Sequence, residues 1–297
     1  MIYMALFKSK NDNNKDAGKS KILKNIGSNF SNTKLSREEL EEMDFEETVK
    51  RTMLNKDTPF SVSEAYKSAR TNIMFSLKDV KGGKSIIVTS GGPGEGKSTS
   101  CINLAISFAQ MGSRVVLVDG DMRKPKIHRY FKCKNKEGLS NVLGGFCELD
   151  STISHNKENG IDIITAGHIP PNPAELIASH EMDEVIAELT KRYDYVFIDT
   201  PPINVVTDAS LLAKKTVGVI LVVRYYITNR DDIEKSIKSL NFAGARIAGL
   251  LFNGVEKGIY LNGYRERRYG YRSRRGYSYD YGYGYGEKYG NYSYNDD

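Results

Sequence analysis

The stretch that decides the fold is SIIVTSGGPGEGKST, residues 85–99 of this 297-residue chain. Its first five residues form an apolar run rich in β-branched side chains, and the segment from Gly91 to Ser98 satisfies the pattern G-x-x-x-x-G-K-[ST]. Glycines let successive backbone amides point at phosphate oxygens, and a following helix adds unpaired N–H groups and the positive end of its dipole. The stretch therefore predicts a strand, a phosphate-binding loop and a helix, in that order.

This loop predicts a nucleotide site. Lys97 would reach the β and γ phosphates, and the hydroxyl of Ser98 would coordinate Mg²⁺. A loop with a purely structural role has no reason to carry the lysine. The residues predicted to bind the nucleotide are Gly91, Gly92, Pro93, Gly94, Glu95, Gly96, Lys97, Ser98 and Thr99.

The chain around this loop, from residue 60 to about 255, alternates short β-rich runs with amphipathic helical stretches, which is typical of a parallel sheet covered by helices. The other predicted strands are Val115–Val118, Ile161–Ile164, Tyr195–Ile198, Val217–Val223 and Ile247–Phe252. Their near-continuous apolar runs are typical of strands buried on both faces. Two of the helices are predicted over 98–111, ending at Gly112, and from Thr228, whose hydroxyl would cap it, to Leu240. The prediction is an α/β fold of the P-loop NTPase type.

Two more of the predicted strands end in carboxylates. Asp119 and Asp121 follow one buried strand directly, and Asp199 follows another. In an open parallel sheet, ligands bind outside the carboxyl ends of the strands, where the phosphate-binding loop also lies. The three aspartates are therefore expected to converge, and Mg²⁺ suits such carboxylates together with Ser98, phosphate oxygens and water.

Both ends of the chain differ from this middle part. Residues 1–34 carry a net charge of +5 and residues 35–50 a net charge of −5, in a composition that offers little apolar surface to bury. Residues 264–297 contain eleven tyrosines and six glycines but no Leu, Ile, Val, Met or Phe. We expect a flexible arm over 1–59, a P-loop domain over 60–258 and a disordered, tyrosine-rich tail over 259–297.

Composition excludes several classes of protein. The longest apolar runs fall far short of the roughly 18 residues of a membrane helix, and no signal peptide is recognisable, so a cytoplasmic location is expected. Cys101, Cys133 and Cys147 are odd in number and have no CxxC spacing, which argues against a disulfide framework and a common zinc pattern.

With these motifs in hand, the chain resembles the bacterial tyrosine kinases of capsule and exopolysaccharide systems, in the form encoded separately from the membrane activator. The Walker A motif of that family matches residues 91–98, its additional D-x-D-x-R motif matches 116–123, and its Walker B motif matches 196–202. The resemblance covers roughly residues 60–297. It implies an ATP-dependent protein-tyrosine kinase, with ATP and Mg²⁺ as cofactors, that regulates capsular or exopolysaccharide polymerisation and export.

The resemblance also assigns roles to residues. Lys97, Asp119 and Asp121 would be catalytic, and Ser98, Asp121 and Asp199 would be on the metal side. Asp119 is the expected acceptor of the tyrosine proton, although the sequence leaves the division of roles among the aspartates open. The tail of one subunit would be phosphorylated by a neighbour, at Tyr277, Tyr279, Tyr281, Tyr283, Tyr285, Tyr289, Tyr292 and Tyr294.

Partners follow from the same resemblance. A family motif, E-x-x-R-x-x-R, that packs subunits into a ring is matched by Glu64, Lys67 and Arg70, with a lysine in place of the first arginine. A membrane-embedded polysaccharide co-polymerase on a separate chain would recruit the kinase to the inner face of the membrane, and a cognate tyrosine phosphatase is expected. No nucleic-acid partner is expected.

Two alternative functions stay open at this point. Deviant Walker ATPases that partition DNA or place the division site share this fold, but their signature lysine precedes the glycines, and Gly92 occupies that place here. An Arg/Gly/Tyr-rich tail could also stack on single-stranded nucleic acid.

Overall fold

The computed structural model describes residues 3–8 and 37–256, and its central element is one sheet. Its strands are β1 (Tyr3–Lys8), β2 (Lys84–Ser90), β3 (Val115–Asp119), β4 (Ile153–Asn156), β5 (Ile161–Ile164), β6 (Tyr195–Asp199), β7 (Gly218–Arg224) and β8 (Ile247–Glu256). They lie in the order β1-β8-β7-β2-β6-β3-β5-β4, and every pairing is parallel except that of β4 with β5.

Helices pack on both faces of this sheet. They are α1 (Arg37–Thr52), α2 (Phe60–Ser76), α3 (Lys97–Ala109), α4 (Ile127–Tyr130), α5 (Leu139–Leu143), α6 (Leu149–Thr152), α7 (Pro173–Ala178), α8 (His180–Arg192), α9 (Asp208–Ala213) and α10 (Arg230–Phe242). Neighbouring residues of β2 enter opposite cores: Ile86 packs in a cluster with α2 and α3, and Ile87 in a cluster with α8 and α9. Burial on both faces explains why these strands are apolar without alternation.

The six predicted strands are confirmed, with ends that differ by at most four residues. The structure adds β1 and β4, which the sequence did not predict. The four residues of β4, ISHN, contain a single apolar side chain, so no hydrophobic run marks this short strand at the sheet edge. The helix predicted over 98–111 is confirmed as α3, and Gly112 follows it at a φ of 89°. None of the helices within 37–256 is long and apolar enough to cross a membrane.

The expected flexible arm over 1–59 needs correction where the structure describes it. Tyr3–Lys8 forms the edge strand β1, and the acidic segment forms helix α1. The end of α1 is bonded to α3 through buried Asn103, whose Oδ1 accepts from Leu54 N (2.8 Å) and whose Nδ2 donates to Thr52 O (2.7 Å). Local composition does not reveal such long-range bonds, so the described part of the segment before residue 60 is structured where the composition predicts a flexible arm.

A second correction concerns the start of α10. The residue whose side chain caps this helix is Asn229, whose Oδ1 accepts from Asp232 N at 2.8 Å. The predicted cap, Thr228, lies one residue earlier and uses its hydroxyl elsewhere. The predicted tail over 259–297 lies outside the described residues.

Candidate active site

The phosphate loop, residues 91–96, joins the carboxyl end of β2 to the first residue of α3, Lys97. Two of its glycines have left-handed backbones, Gly94 at a φ of 80° and Gly96 at 90°. The φ of Gly96 favours glycine, and a Cβ atom there would lie 2.0 Å from Nδ2 of Asn253, so that side chain would have to move. The strand, loop and helix predicted for this stretch are confirmed.

Side chains hold the carbonyl groups of this loop. The bonds run from Ser90 Oγ to Gly92 O (2.8 Å), from Arg224 Nη1 to Gly94 O (2.9 Å) and from Asn253 Nδ2 to Glu95 O (3.0 Å). With these carbonyl oxygens engaged by side chains, the loop amides and the N-terminus of α3 are the groups left to meet an anion. The sequence did not identify Arg224 or Asn253, because both come from strands far along the chain.

Lys97 is nearly buried, with 11% of its side chain exposed, and its Nζ lies among acidic groups. The ammonium is 3.0 Å from Asp121 Oδ2 and 3.6 Å from Asp199 Oδ1. Burial by itself would lower the pKa of Lys97, but the two carboxylates outweigh it and raise that pKa above the usual value. The lysine is therefore held as a cation beside the phosphate loop.

Asp119 and Asp199 end the neighbouring strands β3 and β6 and face each other in the sheet register. Asp119 accepts hydrogen bonds from three backbone amides, those of Asp121 (3.3 Å), Lys126 (3.0 Å) and Ile127 (3.0 Å). These bonds stabilise its charged form. Burial and then the charge of Asp199 nevertheless raise the pKa of Asp119 to about 7.

Asp199 differs from Asp119 in its hydrogen bonds. It is 1% exposed, and neither of its carboxylate oxygens has a hydrogen-bond partner among the described residues. Burial raises the pKa of this carboxyl, and Lys97 counteracts the rise only in part. A buried carboxylate beside Ser98, with the Lys97 ammonium 3.6 Å away but no hydrogen-bond donor in place in the described part of the chain, fits a divalent cation, which would add positive charge.

The remaining carboxylate and the hydroxyl complete the predicted metal set. Asp121 accepts from Lys124 N through Oδ1 (3.0 Å) and from Lys97 through Oδ2, and the hydroxyl of Ser98 lies 3.3 Å from Lys97 Nζ. No group of three or more His, Cys, Asp and Glu side chains in residues 37–256 is placed to hold a metal ion. A Mg²⁺ site at Ser98, Asp121 and Asp199 therefore stays a prediction, and the site would need waters and phosphate oxygens to complete it.

Two contacts made by residues of the site were not predicted from the sequence. Arg123, in the D-x-D-x-R motif, makes a two-bond contact with the fully buried carboxylate of Asp208 at 2.8 and 3.0 Å. Tyr130 on α4 places its hydroxyl 3.0 Å from the hydroxyl of Thr99, and its ring packs edge-on against Phe45 of α1. No local pattern could have found either contact.

The residues predicted to make subunit contacts do not share one environment. Glu64 and Lys67 form an exposed ion pair at 2.8 Å on α2. Arg70, one turn further, instead points at α3 and donates to the carbonyl of Ser107. A subunit contact through these residues stays a prediction. The eight tyrosines predicted to be phosphorylated lie outside the described residues.

Comparison with known proteins identifies relatives of this chain. A family model described as an AAA domain matches residues 83–242. A tyrosine-protein kinase of Bacillus subtilis strain 168, YwqD, is 41% identical over 192 residues, which are 65% of this chain and 81% of the relative.

Two solved structures are similar over most of their length. The kinase domain of the Escherichia coli tyrosine kinase ETK has a TM-score of 0.68 at 27% identity, and the match covers 95% of both chains. The chimerical protein CapA2B2 has a TM-score of 0.64 at 36% identity, over 73% of this chain and 100% of that one. The cell division ATPase MinD of Pyrococcus furiosus is less similar, with a TM-score of 0.50 at 25% identity, over 57% of this chain and 70% of that one.

Proposed function

Because this chain belongs to the bacterial tyrosine kinase family, we propose that it transfers the γ-phosphoryl group of ATP, with Mg²⁺, to tyrosines of its own C-terminal segment. The observation that carries the proposal is the cluster behind the phosphate loop. There a buried lysine contacts two aspartates from two further strands, and one of these carboxylates has no hydrogen-bond partner in the described part of the chain.

The residues divide the work of phosphoryl transfer between them. The amides of the phosphate loop and of the first turn of α3 would bind the phosphate oxygens, and Lys97 would stabilise charge that develops on the transferred group. Ser98, Asp121 and Asp199 would hold the cation, which neutralises phosphate charge when bound. Transfer of this kind depends on alignment and charge more than on covalent help.

Asp119 is the proposed acceptor of the tyrosine proton. A general base works best when its pKa is near the working pH, and burial raises the pKa of Asp119 to about 7. Its three amide bonds fix the orientation of the carboxylate and still leave lone pairs free, since each carboxylate oxygen can accept more than one hydrogen bond.

The acceptor is the tyrosine-rich segment of a neighbouring subunit. Tyrosines spaced every two residues, as from Tyr277 to Tyr285, give a high local concentration of acceptor hydroxyls near a neighbouring site. A ring of subunits would bring the segments and sites together, with Glu64, Lys67 and Arg70 at the contact. Light scattering tests the ring: Glu64→Lys should lower the mass of the assembly, while Glu234→Lys, another exposed partner of a basic residue on its own helix, should not.

The proposed biological role is control of capsular or exopolysaccharide polymerisation and export. A membrane-embedded co-polymerase on a separate chain would recruit the kinase to the inner face of the membrane and activate it, and a cognate phosphatase would reverse the modification. One matched structure is a chimerical protein, which is in keeping with a family whose parts can lie on separate chains. The test is whether the cytoplasmic segment of such a membrane protein, added to the purified kinase, raises its phosphotyrosine content; no rise would count against activation.

The central experiment is incubation of the purified chain with Mg-ATP, followed by mass spectrometry of residues 259–297. Phosphate on several of the tyrosines from Tyr277 to Tyr294 is expected. ATP hydrolysis without any phosphotyrosine would instead favour the division-site type of ATPase, whose similarity to this chain is lower.

A further inference from the structure

The turn over residues 224–228, between β7 and α10, is tightly closed. Its ends are joined by hydrogen bonds in both directions, from Thr228 N to Arg224 O and from Arg224 N to the hydroxyl of Thr228, each at 2.9 Å. The turn is also bonded to β8, because Tyr225 N donates to Asn253 O at 2.9 Å. Tyr226 takes a φ of 60°, which side chains other than glycine rarely adopt. A turn with this many bonds is a rigid support.

This support reaches the phosphate loop through three side chains. Arg224 Nη1 donates to Gly94 O at 2.9 Å, and the hydroxyl of Thr228 donates to Glu95 Oε1 at 2.6 Å. Asn253, which holds the turn through its carbonyl, holds the loop through its side chain, at 3.0 Å from Glu95 O. Two consecutive residues of the loop are thus fixed from one side.

The bond from Thr228 matters because its acceptor, the carboxylate of Glu95, is nearly buried. Glu95 is only 5% exposed although it carries a carboxylate, and this carboxylate bonds to the turn through Thr228. Its Oε2 has no hydrogen-bond partner among the described residues, so the hydroxyl of Thr228 is the side-chain donor that the carboxylate has there. Loss of that donor would leave a buried carboxylate unpaired inside the loop, and the loop would have to shift to let water reach it.

We propose that Arg224, Thr228 and Asn253 are positioning residues that hold the phosphate loop in its nucleotide-binding shape. The proposal rests on the proposed function only for the identity of the ligand as a nucleotide. The three side chains act through the carbonyl groups of Gly94 and Glu95 and through the carboxylate of Glu95. They contact neither Lys97 nor the three aspartates, so their loss should weaken nucleotide binding more than transfer at saturating Mg-ATP.

The first test replaces Thr228 by valine, which keeps the size of the side chain and removes the hydroxyl, and with it both the bond to Glu95 and the bond from Arg224 N. Calorimetric titration with Mg-ADP should show an affinity lower by about tenfold, the effect of one hydrogen bond to a charged group. Thr228→Ser restores the hydroxyl and should restore most of the affinity. The matched control is Thr190→Val, which removes a hydroxyl bonded to the Ile186 carbonyl in α8, far from the loop.

Thermal unfolding without nucleotide separates positioning from general stability. If Thr228→Val lowers the melting temperature but binds Mg-ADP like the parent chain, the residue is structural only and the proposal is wrong. The same comparison applies to Arg224→Met against Arg230→Met, since Arg230 pairs with Glu234 on the surface and does not reach the loop.

A double variant tests the contact itself. Glu95→Met, which removes the acceptor oxygen, combined with Thr228→Val should weaken Mg-ADP binding by less than the product of the two single effects, because each single change breaks the same bond. Multiplicative effects would refute a direct coupling. Mg-ADP binding does not depend on phosphate transfer, so a chain that binds nucleotide through this contact yet makes no phosphotyrosine would overturn the proposed kinase function and leave this inference standing.

Discussion

Two loops at the carboxyl edge of the sheet, one after β2 and one after β3, use their backbones in opposite ways. In the phosphate loop, residues 91–96, side chains engage backbone carbonyls, so the amides are left for a ligand. In the aspartate loop, residues 119–126, backbone amides are engaged by the carboxylates of Asp119 and Asp121. The first loop is therefore prepared for an anion, and the second presents fixed negative charge to a cation. Asp199, on the strand between them, has no hydrogen-bond partner among the described residues and depends on what binds.

Lys97 joins the two loops, and its removal should have the largest effect. Lys97→Met takes away the positive charge near the transferred phosphate, so tyrosine phosphorylation should fall by about a thousandfold or more. It also leaves buried carboxylates without their cation, which should lower the free energy of unfolding. Phosphotyrosine blotting of protein from cells without other tyrosine kinases measures the first effect, and urea unfolding measures the second.

The control for Lys97→Met is a lysine of the same kind outside the site. Lys215 is 8% exposed and pairs with Asp183 at 2.6 Å. Lys215→Met should also reduce stability but should leave transfer unchanged. Wild-type phosphotyrosine levels in a folded Lys97→Met protein would show that the lysine has no catalytic role.

The two facing aspartates should respond differently to the same substitution. Asp119→Asn and Asp199→Asn should each lower turnover at saturating Mg-ATP by about a hundredfold or more, the first through proton transfer and the second through cation binding. Their effects on the nucleotide-free fold should differ. Asparagine has one acceptor oxygen where Asp119 uses two, so Asp119→Asn should cost about 1–3 kcal/mol, while Asp199→Asn removes a buried charge that accepts no hydrogen bond from the described residues and should cost less. Urea unfolding of both variants measures these losses of unfolding free energy. A larger loss for Asp199→Asn than for Asp119→Asn would contradict this reading of the site.

The raised pKa of Asp119 predicts a pH dependence of stability. An unfolded aspartate loses its proton near pH 4, whereas burial raises the pKa of Asp119 in the folded chain to about 7. Between these values the folded state binds more protons, so this group makes stability fall as pH rises from about 4 to about 7. The wild-type chain without nucleotide should therefore lose roughly 2 to 3 kcal/mol more than Asp119→Asn between pH 5 and pH 7.5. Equal slopes for the two proteins would show that Asp119 titrates normally.

The sequence predicted the parts of the molecule whose signals are local. Six strands, the phosphate loop and the placement of Asp119, Asp121 and Asp199 at one edge of the sheet follow from apolar runs and from residues placed directly after them. What it could not predict depends on distant partners. The hydroxyl of Thr228 was expected to cap α10, but it donates to Glu95, 133 residues away, and Asn229 caps the helix instead. Arg123 finds Asp208 85 residues further on, and α1 is attached to the core by Asn103.

The smallest expected effect concerns a contact between the helices that follow the two loops, the hydroxyl pair of Thr99 on α3 and Tyr130 on α4. Thr99 follows the phosphate loop on α3, and Tyr130 lies on α4, whose first amide is bonded to Asp119 of the aspartate loop. Tyr130→Phe keeps the ring contact with Phe45 and removes one neutral hydrogen bond, which is worth about 1 kcal/mol. Affinity for Mg-ADP should fall by about three- to fivefold, because Thr99 is expected at the nucleotide.

Tyr193→Phe, which removes a hydroxyl bonded to Asp162 on β5, is the matched change outside the site and should leave that affinity unaltered. An unchanged affinity in Tyr130→Phe would mean that Lys97 alone couples the two loops.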